Sequence, residues 1–479
     1  MVTYILGALA VELGEGRSKR TLALDSLFAL QDALGYTIIL LAIQLIAGGT
    51  EALFNGYLLT SSYVVTLKLL TVISGRVILD SSEAYMRNHS RHLLEYPLVF
   101  VLAILFMLLL VGAGHLISAF MALVGFSLNL YVLVLFDAPT AMAREAGIKY
   151  FYLSAFSSGL MLYGIFLLFL VTGTGHFSEM GQFLATQPEI FGTGRALLEY
   201  GILFLLIGLF FKLSAFPGHL WAAEVYEGSP DPITAVFMLP VKVAVLSFVL
   251  QFLTVALEPV CVFWQPLIAL SSFFSIIWGC FAALAERKTK RFLAYASINQ
   301  IGFILLGLAA GSFEGYRTTL LYLFIYAVTN IGFLVVFLNA RRADGNSLIY
   351  LSDFRGIGQQ HWLLSWTLAV TLLSMAGIPP LAGFFGKYYL LLHAQEQGLY
   401  GLVITALVTS LVSTYYYLRL IKIFWFEGGA SITAVTCNLS ESQYVTLFVV
   451  EGFLWTFILF AGQLVSFVDL ILQSVLISA

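Results

Sequence analysis

The chain has few charged residues, few cysteines and none of the short motifs that bind nucleotides or metals. Only 10% of its 479 residues are charged and the formal net charge is −3, which argues against a basic nucleic-acid-binding surface. Its three cysteines, Cys261, Cys280 and Cys437, form no CxxC or haem signature, so neither disulfides nor a metal site is indicated. No GxGxxG follows a strand and no phosphate-binding loop is present. We therefore expect no cofactor, metal or redox centre in this chain.

Hydrophobic residues are abundant instead. They make up 60% of the sequence, and the mean hydropathy is +0.95. Apolar runs of about 20 residues recur from end to end, and each is long enough to cross roughly 30 Å of hydrocarbon. Because unpaired backbone polar groups cannot face lipid, such runs form helices. The sequence predicts an all-α polytopic membrane protein that is surrounded by lipids.

Fourteen spans are predicted, or thirteen if the first is peripheral. They are 2–13, 27–48, 57–79, 95–112, 115–136, 148–172, 198–227 (interrupted), 233–256, 261–285, 291–311, 316–340, 362–395 (interrupted), 398–424 and 444–472. We divide them into N-terminal helices (1–94), a first repeat (95–256), a second repeat (257–425), and a polar loop with a C-terminal helix (426–479). His115 is expected at the start of a helix, near the membrane surface.

Basic residues alternate between successive loops from residue 137 onward. One set of loops holds eleven of them, and the opposite set holds two, Arg195 and Arg317. The positive-inside rule places the larger set in the cytoplasm or matrix. Its members are Arg144, Lys149, Arg287, Lys288, Lys290, Arg291, Arg341, Arg342, Arg355, Arg419 and Lys422.

Three lysines, Lys212, Lys242 and Lys387, lie inside long apolar segments. An ammonium at mid-bilayer costs about 2.5–3.5 kcal/mol on insertion scales, so intramembrane lysines usually have a function. Burial disfavours the charged form of a lysine, which makes its proton available for transfer. The alternative is a structural role, in which each lysine reaches the interface or pairs with a carboxylate.

Prolines interrupt two of these segments, at Pro217 and at Pro379 and Pro380. Proline removes a backbone donor, so nearby carbonyls lose their helical partners and form a polar pocket. The lysine comes five residues before the proline in the first segment, and seven residues after the second proline in the other. This reversed order is typical of inverted repeats with broken helices.

Titratable residues follow the first break. His219 and Glu227, with Glu224 and Asp231, either feed protons to Lys212 or form a solvated turn shaped by the neighbouring glycine and prolines. His219, two residues after Pro217, is the one most expected to face a polar interior.

The segment FKLSAFPGHLWAAEVYEGSPDPITA, followed by PVK, resembles the antiporter-like subunit 2 (subunit N) family of respiratory complex I. KRFLAYASINQIGF, MAGIPPLAGFFGKYYL and STYYYLRLIKIFWF agree with that family, and the resemblance covers roughly residues 95–425. It implies fourteen helices, two inverted five-helix repeats and two broken helices. It also implies that Lys212 is the proton-bearing lysine of the first broken helix, Lys242 a connecting lysine and Lys387 the terminal one.

The same resemblance implies a function and partners. The chain is expected to be a membrane-arm subunit of a proton-translocating NADH:ubiquinone reductase in the respiratory chain. Other membrane-arm subunits are its partners and protons the transported species. FMN, iron–sulfur clusters and ubiquinone are expected in partner subunits. The expected location is the mitochondrial inner membrane, because no targeting peptide is visible and charged sites have diverged; a bacterial plasma membrane is the alternative.

Two positions depart from the family pattern. Val124 stands where the family carries a glutamate that pairs with the first lysine, and no other carboxylate lies in that segment before Asp137. Lys212 is then neutral, or receives an acid from another subunit, or belongs to a site that no longer pumps. Gln300 stands where a histidine is expected and can still order water. Two other functions therefore stay open: an Mrp-type cation/proton antiporter subunit, and a structural spacer within complex I.

Overall fold

Helices make up most of the chain in this computed structural model, which describes residues 19–88, 95–136, 140–186, 193–342, 347–427, 435–437 and 439–477. Up to residue 255 they are α1 (Lys19–Ala47), α2 (Ser62–Ser81), α3 (Glu83–Asn88), α4 (Glu95–Val111), α5 (Leu116–Leu135), α6 (Ala141–Thr172), α7 (Phe177–Thr186), α8 (Thr193–Leu213), α9 (Leu220–Gly228), α10 (Asp231–Met238) and α11 (Pro240–Val255). Beyond it they are α12 (Cys261–Ala285), α13 (Thr289–Ala309), α14 (Phe313–Asn339), α15 (Ile357–Gln360), α16 (Trp362–Ala376), α17 (Ala382–Glu396), α18 (Tyr400–Trp425) and α19 (Glu441–Ile477).

The predicted all-α polytopic fold is confirmed. Within the described ranges, eleven helical stretches are long and apolar enough to cross a membrane, and α4 and α16 are shorter apolar helices. Every predicted span from 27–48 onward corresponds to a helix or an interrupted pair, whereas the 2–13 segment lies outside the described residues.

Two details differ from the prediction. The span 233–256 is broken at Leu239 between α10 and α11, because Pro240 begins a new helix at its first position, where no amide donor is needed. The described parts of the connections also contain two short antiparallel sheets, β1 (Glu51–Leu53) with β2 (Leu58–Thr60), and β3 (Ala340–Arg342) with β4 (Val435–Cys437).

The described residues form two compact units. Unit 1 lies within Met1–Leu213, Gly228–Trp264 and Leu470–Ala479, and unit 2 within Ser214–Glu227 and Gln265–Asp469. The four-part division drawn from the sequence stays a prediction.

The centre of unit 1 is the α10–α11 pair, whose whole Asp231–Val255 stretch is buried. Beside it, small residues bring α6 and α8 close together. A Cβ at Gly164 would lie 2.6 Å from the backbone nitrogen of Leu205, and a Cβ at Gly208 would lie 3.0 Å from the carbonyl oxygen of Ser157. These contacts define an antiparallel register that continues to Ser154 and Lys212.

His115 is the N-cap of α5, as the sequence predicts, and its Nδ1 accepts a hydrogen bond from the Ile117 amide at 3.0 Å. The imidazole stacks on Tyr57 and meets the His176 ring edge-on, with ring centroids 4.5 and 4.6 Å away. Burial, and then the electrostatic effect of the neighbouring His176, lowers the pKa of His115. Nδ1 can accept the hydrogen bond from the Ile117 amide only when the His115 imidazole is neutral.

We expect His115→Asn to reduce the loss of stability that acid causes. The pKa of His115 is lower in the folded state than in the unfolded state. The contribution of His115 to folding stability is therefore fully present above about pH 6.5, and it is lost as the pH falls through the folded pKa. Asparagine keeps the helix cap but does not titrate. The thermal unfolding midpoint, followed from about pH 7 to about pH 5, should fall less in the variant than in the wild type. Equal falls would contradict the assignment.

In unit 2, α13 and α14 form the buried centre. At one end of the unit, the loops that charge counting assigns to the same membrane face are bonded to one another. Thr289 donates its amide to the Ile349 carbonyl and Leu351 to the Arg287 carbonyl, at 2.9 and 3.0 Å. Arg342 pairs with Asp353 at 2.6 Å. This arrangement agrees with the predicted topology.

Candidate functional site

Lys212 lies in the last turn of α8, where the first interrupted segment breaks. The helix ends at Leu213, Ser214 takes a positive φ of 56°, and helical structure resumes at Leu220. A C-terminal turn leaves carbonyls unpaired and carries partial negative charge, which favours an ammonium. Lys212 is only 4% exposed, and its Nζ donates a hydrogen bond to the Ser154 hydroxyl at 2.7 Å. Among the described residues, no carboxylate forms an ion pair with it.

A cavity of about 240 Å³ lies between α5 and α6, next to this hydrogen bond. Its lining includes Val124 and Ser154, with Ser127, Ser158 and the Tyr150 ring nearby. The serine that accepts from Lys212 thus also lines the space beside Val124. Hydroxyl groups, and not an acid, form the polar part of this wall. A side chain longer than valine at position 124 has room to enter.

Val124→Glu should therefore supply Lys212 with a carboxylate, whereas Val124→Gln fills the same space without charge. An unpaired buried charge costs several kcal/mol, so we expect the Glu variant to be more stable than the Gln variant by about 3 kcal/mol. Thermal unfolding of the purified protein measures this difference. If the Gln variant unfolds at the same or a higher temperature, Lys212 does not need an acid.

Lys242 lies in the first turn of α11, two residues after Pro240, and is 1% exposed. Its Nζ has no hydrogen-bond partner within the part of the chain that the structure describes. The N-terminal end of a helix carries partial positive charge, which makes this a poor place for a permanent cation. The position suits a group that gives up its proton readily.

Lys387 lies on α17, after the second break. Helix α16 ends at Ala376, Gly377 follows in the left-handed conformation with φ of 85°, and α17 begins at Ala382. The Lys387 Nζ donates to the carbonyl oxygens of Met375 and Ala376, at 2.8 and 3.2 Å. It also lies 4.9 Å from the centre of the Phe303 ring. The freed carbonyls of the broken helix therefore hold this ammonium, as expected at Pro379 and Pro380.

Gln300 shares the Met375 carbonyl with Lys387. Its Nε2 donates to the Met375 oxygen at 3.2 Å and to the Tyr417 hydroxyl at 3.3 Å, and its Oε1 accepts from the Tyr322 hydroxyl. The structure thus brings Gln300 and Lys387 together at one peptide group. The two tyrosines come from α14 and α18, and local sequence carries no signal that would pair them with Gln300.

The residues after the first break have different surroundings. Glu227 forms ion pairs with Lys288 and Arg291 at the start of α13. The His219 imidazole is buried between the rings of Phe216 and Trp278, with centroids 5.7 and 5.4 Å away. Glu227 is therefore bound by basic residues. His219 lies between aromatic rings and does not face the polar interior that the sequence predicted for it.

One group of charged residues was missed by sequence reasoning. His393 of α17 lies 2.7 Å from a carboxylate oxygen of Glu396 and 3.8 Å from one of Glu314. Arg317 pairs with Glu314 and lies 3.6 Å from Asp469. These residues join the ends of α14, α17 and α19. Their only sequence signal was charge at the ends of apolar segments, which is common to most membrane proteins.

These features define a class of membrane protein. Interrupted helices with a buried lysine beside the break, as at Lys212 and Lys387, are typical of helical transporters in which unwound backbone binds the transported ion. A family model described as "NADH:quinone oxidoreductase/Mrp antiporter, TM" matches residues 113–413. The chain belongs to this family.

Individual relatives narrow the comparison. NADH-quinone oxidoreductase subunit N 1 of Rhizobium meliloti (strain 1021) is 39% identical over 393 residues, which cover 81% of each chain. Subunit N of Granulibacter bethesdensis is 36% identical and covers 90% of this chain and 89% of its own. The resemblance to subunit N that the sequence motifs indicated is confirmed.

Solved structures agree. A chain of respiratory complex I from Thermus thermophilus with bound aureothin has a TM-score of 0.77 and 27% identity, and covers 97% of this chain and 99% of its own. A chain of the Mrp complex from Dietzia sp. DQ12-45-1b has a TM-score of 0.81 at 18% identity, covering 99% of this chain and 95% of its own. The second likeness concerns the fold alone.

Proposed function

We propose that this chain is a subunit N of a proton-pumping NADH:quinone oxidoreductase, and that Lys212, Lys242 and Lys387 carry its protons. The observation that supports this best is the buried lysine beside each helix break, in a chain whose relatives bear that name. Each of the three ammonium groups is almost fully buried and free of a carboxylate within the described ranges. Such groups change charge readily when the surrounding field changes.

In this proposal the chain moves protons and its partners move electrons. FMN, iron–sulfur clusters and ubiquinone belong to partner subunits, and other membrane-arm subunits flank this one. The relatives reported above are bacterial, so we place the complex in a bacterial plasma membrane and not in the mitochondrial inner membrane.

Affinity purification tests the assignment. The full-length chain, carrying a C-terminal tag, is purified from its own membranes in mild detergent. We expect it to bring down flavin- and iron–sulfur-containing subunits together with NADH:quinone reductase activity. Copurification with a set of purely membrane-embedded cation antiporter subunits, without flavin, would favour the Mrp-type alternative instead.

A structural spacer within the same complex is the second candidate. It is favoured by one observation, the serine in place of a carboxylate beside Lys212. The two candidates predict different results when the buried lysines are replaced. Pumping by the complex falls if this chain carries protons, and it stays unchanged if the chain is a spacer.

A further inference from the structure

One carboxyl group lies inside a membrane-spanning helix and is separate from Lys212, Lys242 and Lys387. Glu451 is on α19, whose Glu441–Val475 stretch is apolar enough to cross a membrane. The adjacent Val450 touches the backbone of α14 at Gly332, where an added Cβ would lie 2.8 Å from Val450 Cγ1. Gly332 is seven residues before the C-terminal end of α14, so this level is about 10 Å inside that end of the helix. Glu451 is therefore at the depth of the hydrocarbon.

Its surroundings are apolar on both sides. The inner face of α19 is formed by buried Leu447, Val450, Leu454 and Phe457, and the outer face includes Phe448, which is 78% exposed. Glu451 lies at the edge between these faces and is itself partly exposed. Its Oε1 atom is fully covered and has no hydrogen-bond partner among the described residues.

Glu451 forms no ion pair within the described part of the chain. Helices α16 and α19 contain no lysine, arginine or histidine. Helix α17 packs on α19 through Phe385 and Phe457, but its two basic residues are bound elsewhere. Lys387 donates to the Met375 and Ala376 carbonyls, and His393 contacts Glu396. The only cationic residue of α14, Arg317, is at its opposite end and pairs with Glu314 and Asp469. A bare carboxylate in such a place is strongly disfavoured, and a carboxyl group there stays neutral by keeping its proton.

We propose that Glu451 is a proton-binding carboxyl group at the membrane-facing edge of α19, separate from the three lysines. The site takes a proton as its ligand and exchanges it on the side of α19 that the rest of this chain leaves open. This inference does not rest on the proposed function, because it concerns the protonation of one side chain in an apolar setting.

A hydrophobic carbodiimide tests the protonated, lipid-accessible carboxyl group directly. The acid adds across one C=N bond of dicyclohexylcarbodiimide: its proton goes to nitrogen, and its oxygen bonds to the central carbon. A shift of the acyl group to nitrogen then gives a stable N-acylurea with no loss of atoms. Native membranes that contain the full chain are treated, and the adduct is located by peptide mass spectrometry.

We expect an N-acylurea on Glu451 and its complete loss in Glu451→Gln. Glu441, which is exposed at the start of the same helix, is the matched control. It should react with a water-soluble carbodiimide and glycine ethyl ester, whereas Glu451 should not. An unmodified Glu451 in wild-type membranes would overturn the proposal, and would show that a neighbour's cation or helix covers it. Labelling of Glu451 by the water-soluble reagent alone would overturn it as well. Since the wild-type adduct is assigned by sequencing, the test holds even if the variant does not assemble.

Discussion

Replacing Lys242 by methionine is expected to lower proton pumping by about tenfold or more while leaving the protein at least as stable. Lys242 has no hydrogen-bond partner among the described residues, and it lies at the unfavourable end of a helix. Methionine has a similar length and no charge, so it fills the space without leaving a partner unsatisfied. Pumping by the assembled complex in proteoliposomes and the thermal unfolding midpoint measure the two effects.

Lys149→Met is the matched control for this variant. Lys149 is at the membrane surface, where it pairs with Glu145 at 2.7 Å and remains well exposed. A surface pair of this kind contributes little to stability, so both pumping and unfolding should stay close to wild type. If Lys242→Met also pumps normally, Lys242 carries no proton. A large fall in its unfolding temperature would indicate a structural role instead.

Replacing Lys387 by methionine should impair both pumping and stability. The ammonium of Lys387 is bound by the carbonyl oxygens of Met375 and Ala376 at the broken end of α16. Without the ammonium, these two buried carbonyls lose a hydrogen-bond donor, which lowers the free energy of unfolding by about 1–3 kcal/mol. We expect a lower unfolding temperature and a loss of pumping of about tenfold or more.

Lys387→Arg separates the two effects. Arginine keeps a positive charge that can donate to the same carbonyls, but its guanidinium does not release a proton in proteins. The Arg variant should therefore recover stability relative to the Met variant and still fail to pump. Normal pumping by the Arg variant would show that position 387 needs only a charge.

The contrast between Lys242 and Lys387 comes from their partners, and sequence alone could not provide it. Apolar run length predicts the spans, and proline predicts the two breaks, because both signals are local. The partner of Lys212 is Ser154, 58 positions away along the chain. Gln300 meets Tyr417 across 117 positions. Only the packing of α6 on α8, and of α13 on its neighbours, brings these groups together.

Two local signals in the sequence carry more information than the predicted spans use. Pro240 marks the start of α11, yet the predicted span ran through it because the apolar pattern continued on both sides. Glu451 lies within the predicted span 444–472, and a carboxyl group in such a segment is itself a sign of function. The short β3–β4 sheet could not be predicted, since three-residue strands in polar connections carry no periodicity.

We propose that the buried lysines carry the protons that the complex pumps. The ratio of protons moved to electrons transferred, measured with NADH and quinone in proteoliposomes, tests it most directly when wild type is compared with Lys242→Met. We expect a clearly lower ratio in the variant, with the complex assembled and its unfolding temperature maintained. An unchanged ratio in a fully assembled complex would show that Lys242 carries no pumped proton and would favour a structural spacer.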